Sequence, residues 1–174
     1  MNRRFTVSGS QELERLISSQ MDIISNEVQK IFEKNDLAAL ILGGGYGKGE
    51  GGVCKTAEGE RTFNDYDFFV ITNNISRKLK IKYHQKLQEL HKTLTEKFRI
   101  DVDFAFPVNR SSIKKLPFTQ MWGELKPAHI IVYGDKNILE AYQHSDLSFI
   151  PLSEAKKLLL NRGYGLVLAR NRIE

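Results

Sequence analysis

A single cysteine, Cys54, stands among 174 residues. That excludes a disulfide framework and any zinc site of four cysteines. It points instead to a reducing, cytoplasmic compartment. No apolar run approaches the ~18 residues of a membrane helix, so no membrane partner is expected. The opening Met-Asn-Arg-Arg-Phe leads into polar Ser8-Gly9-Ser10-Gln11 rather than an apolar stretch, so no secretory signal is read there. Internal repeats and low-complexity tracts are also missing. What remains is a composition of 41% hydrophobic, 10% aromatic and 27% charged residues, which fits a globular chain with a core and excludes a disordered one. The length corresponds to one domain or slightly more.

The net charge of +5 is unevenly spread. Residues 1–74 carry −3, residues 75–100 carry +6, residues 101–106 carry −2 and residues 107–174 carry +4. Such a balance permits an anionic partner without requiring one. Glycine is uneven too: seven of the 13 fall between positions 43 and 52.

Apolar residues at spacings of three and four, from Leu13 to Phe32, predict an amphipathic helix over 11–34 capped by Ser10. Residues 37–42 (LAALIL) read as a strand buried on both faces. The glycine cluster follows as a turn, and polar residues 53–64 read as a loop. Residues 65–72 (DYDFFVIT) predict a central strand, and residues 76–98 a second long helix. Residues 99–106 (RIDVDFAF) alternate strictly, which predicts a strand with Asp101 and Asp103 on one face. A fourth strand is expected at 129–133 and a short helix near 136–144. A final helix should run from Ser153 to the end, with Gly163 and Gly165 inside it. Residues 1–150 thus read as a core domain. Residues 151–174 read as a C-terminal helix, for which a missing continuation, a covering partner and a frayed terminus all stay open.

The cluster GGGYGKGEGG fails the Walker A pattern, because the first glycine and the hydroxyl after the lysine are both missing. Gly47, Gly49 and Gly52 match G-x-G-x-x-G, but residues 53–64 are too short and polar for the helix that a dinucleotide fold requires. Kinase segments and a Ser-His-Asp signature are not present. The stronger pattern is the order: buried strand, Gly-Gly turn with Lys48, a strand opening Asp65-Tyr66-Asp67, then a strand carrying Asp101. Asp65 and Asp67 are two apart and share a side. Two carboxylates at the head of an apolar strand are costly unless a cation satisfies them. Oxygen donors suit Mg²⁺ or Mn²⁺, and a third carboxylate on a neighbouring strand completes a two-metal set. A solvated strand end is the plainer reading of any one such pair; the three features together favour metal binding.

These motifs resemble those of the DNA polymerase β-like nucleotidyltransferase superfamily. Its members carry Gly-Ser or Gly-Gly after the first strand, in strings like GSYARGEA, where this chain reads GGYGKGEG over 44–51. They carry Asp-x-Asp on the next strand, matched by Asp65 and Asp67, and a third acid in a context like I-D-I-x-L, matched by Ile100-Asp101-Val102-Asp103-Phe104. The resemblance covers residues 37–106 and is vague beyond. It implies an α/β (α+β) fold with a small mixed central sheet flanked by helices. It also implies transfer of a nucleoside monophosphate from an NTP, most readily ATP, to a hydroxyl of a protein, RNA or small-molecule acceptor. Gly44, Gly45 and Lys48 would bind the triphosphate. Asp65, Asp67 and Asp101 would be catalytic and hold metal, with Asp103 the second choice for the third position. Two departures stand out. Gly45 replaces a frequent serine, and nineteen residues separate Gly45 from Asp65. A non-catalytic NTP-sensing module, or one half of a two-protein complex, is the competing reading.

The remaining residues read more plainly. His84 and His91 lack partners at zinc-ligand spacing. Trp122 and Tyr133 read as packing residues, and Glu50 and Cys54 as incidental. The basic residues of 77–97 read as a solvated helix face, with contact to RNA or a protein partner as the second reading.

Overall fold

The structure, a computed structural model, describes residues 4–144 and 146–170. Helix α1 (Gln11–Ile31) starts where Ser10 accepts a hydrogen bond from the Leu13 N–H at 3.2 Å, a cap worth about 1 kcal/mol. It buries Leu13, Ile17, Met21, Ile24 and Val28. It stops three residues short of the expected end, because Phe32 is already extended.

Strand β1 (Leu37–Leu42) is buried along its whole length. The inserted segment 52–63 forms β2 (Gly52–Thr56) and β3 (Gly59–Phe63), and β4 (Asp65–Thr72) follows. Helix α3 (Arg77–Phe98) comes after the one-turn helix α2 (Gly44–Lys48) in chain order and leads to β5 (Asp101–Phe104) and β6 (Val108–Asn109). Helix α4 (Gln120–Leu125), β7 (Ile130–Gly134) and α5 (Leu152–Arg170) complete the order. The main sheet runs β5-β4-β1-β7, with β6 paired to the far end of β4. β1 is antiparallel to both neighbours, while β4 and β5 are parallel. Tyr66, Phe68 and Val70 of β4 pack into the core beneath α1 and α3. Phe69 and Ile71 pack on the opposite side with Trp122, Leu125 and Tyr142. The mixed sheet with helices on both sides is the α/β architecture that the sequence resemblance implied.

Three expectations are corrected. Residues 53–64 are a β-hairpin rather than a loop. A two-residue Ala57-Glu58 turn closes it, Thr56 pairs with Gly59, and Gly59 has φ 121°. Its polarity misleads because only one face is covered. Thr62 is buried and Glu60 accepts the Ser10 N–H at 2.7 Å, whereas Arg61 and Phe63 face outward. The glycine turn is a helical turn, α2, with Gly49 as a left-handed C-cap. The helix near 136–144 shrinks to a 3₁₀ turn at Ile138–Ala141, because Tyr142 turns extended and buries its ring near Trp122. Residues 110–115 (3₁₀) and α4 lie in a stretch where no element was expected. The final helix begins at Leu152, and its expected end at 171–174 lies outside the described residues. No helix among the described residues is long and apolar enough to cross a membrane.

Candidate active site

Strand alternation sends Tyr66 into the core, where its hydroxyl donates to Gln20 Oε1 at 2.7 Å, and turns Asp65 and Asp67 to the other side. The parallel register sets Asp101 opposite Asp65 and Asp103 opposite Asp67. Neighbouring strands lie roughly 4.8 Å apart, so four carboxylates form a two-by-two patch at the head of β4. The electrostatics reflect this crowding. Burial, followed by the charges of Asp65 and Asp103, pushes the Asp67 carboxyl up to about 6. Burial, then Asp103 and Asp101, also raises Asp65, partly offset by hydrogen bonds. One of these comes from Asn64 Nδ2, 2.6 Å from Asp65 Oδ1. Asn64 is the single residue between β3 and β4 and sits at φ 82°, a left-handed conformation that asparagine tolerates well. Asp103 thus contributes to the rise of both Asp65 and Asp67, and Asp101 to that of Asp65. On the outer side, His91 Nδ1 hydrogen-bonds the Val102 carbonyl at 3.0 Å and lies 3.4 Å from Asp103 Oδ1.

The glycine turn sits directly on this patch. The Gly43 N–H donates to the Asp67 carbonyl at 2.8 Å, and α2 starts immediately after. Gly44 has φ 57°, and a Cβ there would fall 2.0 Å from Asp67 Oδ2. Gly47 presses on β1, since its Cβ would meet the Leu42 carbonyl oxygen at 2.4 Å. Gly45 is different: its nearest atom, the Glu50 carbonyl oxygen, is 3.5 Å away. The Lys48 Nζ pairs with Glu124 Oε2 at 2.5 Å, and Gln120 Nε2 donates to Glu124 Oε1 at 2.7 Å. Burial would raise the Glu124 carboxyl, but the Lys48 and Gln120 contacts outweigh it and hold it below its ordinary value.

Two clefts flank the carboxylates. One, of about 500 Å³, is lined by Gly44, Lys48, Asp67, Glu124, Lys157 and Asn161 among others. The second, of about 430 Å³, is lined by Arg61, Phe63, Asn64, Thr95, Arg99 and Asp101 among others. Sequence reasoning brought Gly44, Asp65, Asp67, Asp101 and Asp103 to one place, and the structure does too. It finds Lys48 in the first cleft but held by Glu124. The sequence did not point to Glu124, Lys157 and Asn161, which arrive on α4 and α5, or to Arg61 and Phe63 on the hairpin. The spacing of Arg61 and Phe63, two apart in a β-prone stretch, was the available signal. Trp122 packs against Phe69 with ring centroids 5.3 Å apart. Among the described residues, no three His, Cys, Asp or Glu side chains converge as they stand to hold one metal ion.

No protein-family model matches the chain, and no curated protein matches it by sequence. Solved structures do match. Spectinomycin adenyltransferase AAD(9) of Enterococcus faecialis, solved with ATP and spectinomycin, aligns at TM-score 0.51 and 15% identity, over 86% of this chain and 66% of that one. A tri-AMPylated HEPN toxin in complex with MNT antitoxin, from Shewanella oneidensis, aligns at TM-score 0.38 and 11% identity, over 90% and 99% of the two chains. A toxin–antitoxin structure with AMP-PNP aligns at TM-score 0.40 and 13% identity, over 89% and 98%. The chain shares the nucleotidyltransferase fold of AAD(9).

Proposed function

We propose that this chain is a metal-dependent nucleotidyltransferase, moving a nucleoside monophosphate from an NTP to an acceptor hydroxyl and releasing pyrophosphate. The observation that carries the reading is the seating of Gly44 on the Asp67 carboxylate, at the head of a strand whose parallel neighbour adds Asp103. ATP is the expected nucleotide, being the one present with AAD(9). The backbone at Gly44 and Gly45 lets a triphosphate approach closely, and Lys48 supplies positive charge once it shifts from Glu124. Asp65, Asp67 and Asp103 are the proposed carboxylates for Mg²⁺ or Mn²⁺, with Asp101 toward the second cleft. The donors are all hard oxygens; burial first and mutual repulsion second raise Asp65 and Asp67, and a divalent cation would offset both. Mg²⁺ held there would supply charge to the triphosphate and lower the pKa of an acceptor hydroxyl.

A second reading, one component of a two-protein complex, draws on α5, where Leu159, Leu160 and Leu166 are each more than 70% exposed. Both readings meet one experiment: incubation with Mg²⁺, ATP labelled at the α-phosphate and cell extract. Labelled product is expected from the wild type. It should be lost in Asp67→Asn and in Asp103→Asn, and largely kept in Asp101→Asn. Wild-type labelling by Asp67→Asn overturns the proposal; tight NTP binding with no product from any variant favours the sensing or complex reading.

A further inference from the structure

We propose that the second cleft is the acceptor subsite and that it takes a nucleotide of single-stranded RNA; this rests on the transferase reading above. The hairpin β2–β3 presents Arg61 and Phe63 on one exposed face, two residues apart on β3. Phe63 is 62% exposed, although it belongs to a structured strand. The side chain is displayed on a fixed backbone. The buried Tyr46 hydroxyl accepts the Phe63 N–H at 3.0 Å and donates to the Gly52 carbonyl at 2.6 Å, which ties the base of the hairpin to the glycine turn. Across the cleft, Arg99 ends α3 in a left-handed C-cap, its N–H on the Thr95 carbonyl. Neither Arg61 nor Arg99 makes an ion pair or side-chain hydrogen bond among the described residues. Asp101 also lines the cleft.

An exposed aromatic ring with two uncommitted guanidinium groups is the equipment for a nucleotide: the ring stacks a base and the arginines take phosphates. The +6 charge of residues 75–100 extends the positive field along α3, which suits a longer polyanion over a small neutral acceptor. An acidic peptide would use the arginines but leave Phe63 unexplained. Asp101 lines this cleft and Asp67 the first, and the two lie on paired strands, so a terminal hydroxyl held here would approach an NTP held there across the carboxylate patch. Its oxygen bonds to the α-phosphorus, the bond from that phosphorus to the β-phosphate oxygen breaks, pyrophosphate leaves, and the hydroxyl proton passes to water.

The test uses the full 174-residue chain and a 5′-fluorescein, random-sequence RNA 12-mer with a free 3′-hydroxyl, followed by anisotropy between 50 and 200 mM salt. Phe63→Ala should weaken binding roughly 5- to 150-fold at every salt concentration, and Phe63→Tyr should keep it. Arg61→Ala combined with Arg99→Ala should weaken binding and flatten the log–log salt slope by about 1.4. Affinity for an N-methylanthraniloyl ATP with Mg²⁺ should stay at the wild-type value in all three, which also shows that they fold. RNA affinity unchanged by these substitutions, or no RNA binding by the wild type, overturns the inference. If nucleotide binding persists in that case, the transferase reading stands without it. Phe63-dependent RNA binding with no nucleotide binding would instead overturn the transferase reading and, with it, the acceptor role of the cleft.

Discussion

The two clefts beside the carboxylate patch are built in different ways. The first has a backbone floor at Gly44, which lies on Asp67, under side chains of α4 and α5, and the one lysine of the turn is neutralised by Glu124. The second is made by side chains, Arg61, Phe63 and Arg99, standing out from an added hairpin and a helix end. A close backbone approach tolerates almost no substitution, whereas an exposed side chain on a hairpin can change without disturbing the sheet. A group common to every NTP suits the first cleft, and an acceptor, which differs between enzymes of one fold, suits the second. Substitutions can therefore separate them.

The largest separation is expected from Gly44→Ala. A Cβ at φ 57° costs roughly 1–2 kcal/mol, and at 2.0 Å from Asp67 Oδ2 it also forces that carboxylate to move. Nucleotide binding with Mg²⁺, read by N-methylanthraniloyl fluorescence, should fall by at least ~100-fold. Tm should drop by about 2–8 °C. RNA anisotropy should hardly change. Equal losses of nucleotide and RNA binding would show that the clefts are one site and end the comparison.

The first cleft was the more legible of the two in the sequence. Residues 37–42 and 65–72 are apolar runs buried on both faces, so their limits were visible without tertiary information. Asp65, Asp67 and the glycine pair stood out because acids and glycines interrupt those runs. The ranking of Asp103 against Asp101 was not legible, since both satisfy the same alternation. The parallel register with β4, a tertiary fact, sets Asp101 beside Asp65 and Asp103 beside Asp67 and so brings both to the patch. The second cleft stayed hidden because Arg61 and Phe63 lie in a polar segment whose strands cover only one face. Glu124, Lys157 and Asn161 come from stretches where neither motif nor periodicity pointed to the site.

A smaller effect should appear in stability against pH. Asp67 keeps its proton in the folded chain up to about pH 6, while in the unfolded chain it loses it near 3.8. Between these values the folded state binds more protons, so stability falls as pH rises, the reverse of the trend for a salt-bridged aspartate. Asp65, also raised, acts in the same direction. Differential scanning fluorimetry should show Tm falling between pH 4 and pH 7. Asp67→Asn should flatten the curve and be the more stable protein at pH 7. MgCl₂ should raise the wild-type Tm at pH 7 but not at pH 4. A Tm that rises over this interval in the wild type and in Asp67→Asn alike would show that the carboxylates do not crowd.

Gly45→Ser should have the smallest effect, and a favourable one. Unlike Gly44, Gly45 is not at positive φ, and a Cβ there meets nothing closer than 3.5 Å. The serine found at this position in many members of the superfamily therefore fits without displacing Asp67. Its hydroxyl would add one hydrogen bond to a phosphate, worth about 0.5–1.5 kcal/mol, or roughly a 2- to 12-fold gain in nucleotide affinity. Tm without nucleotide should stay within about 1 °C, because a surface substitution free of strain changes stability little. RNA binding should not respond, since Gly45 does not line the second cleft. A loss of nucleotide affinity with an unchanged Tm would mean that the triphosphate passes closer to Gly45 than a side chain allows. The backbone of the first cleft would then grip its ligand at two consecutive glycines rather than at Gly44 alone.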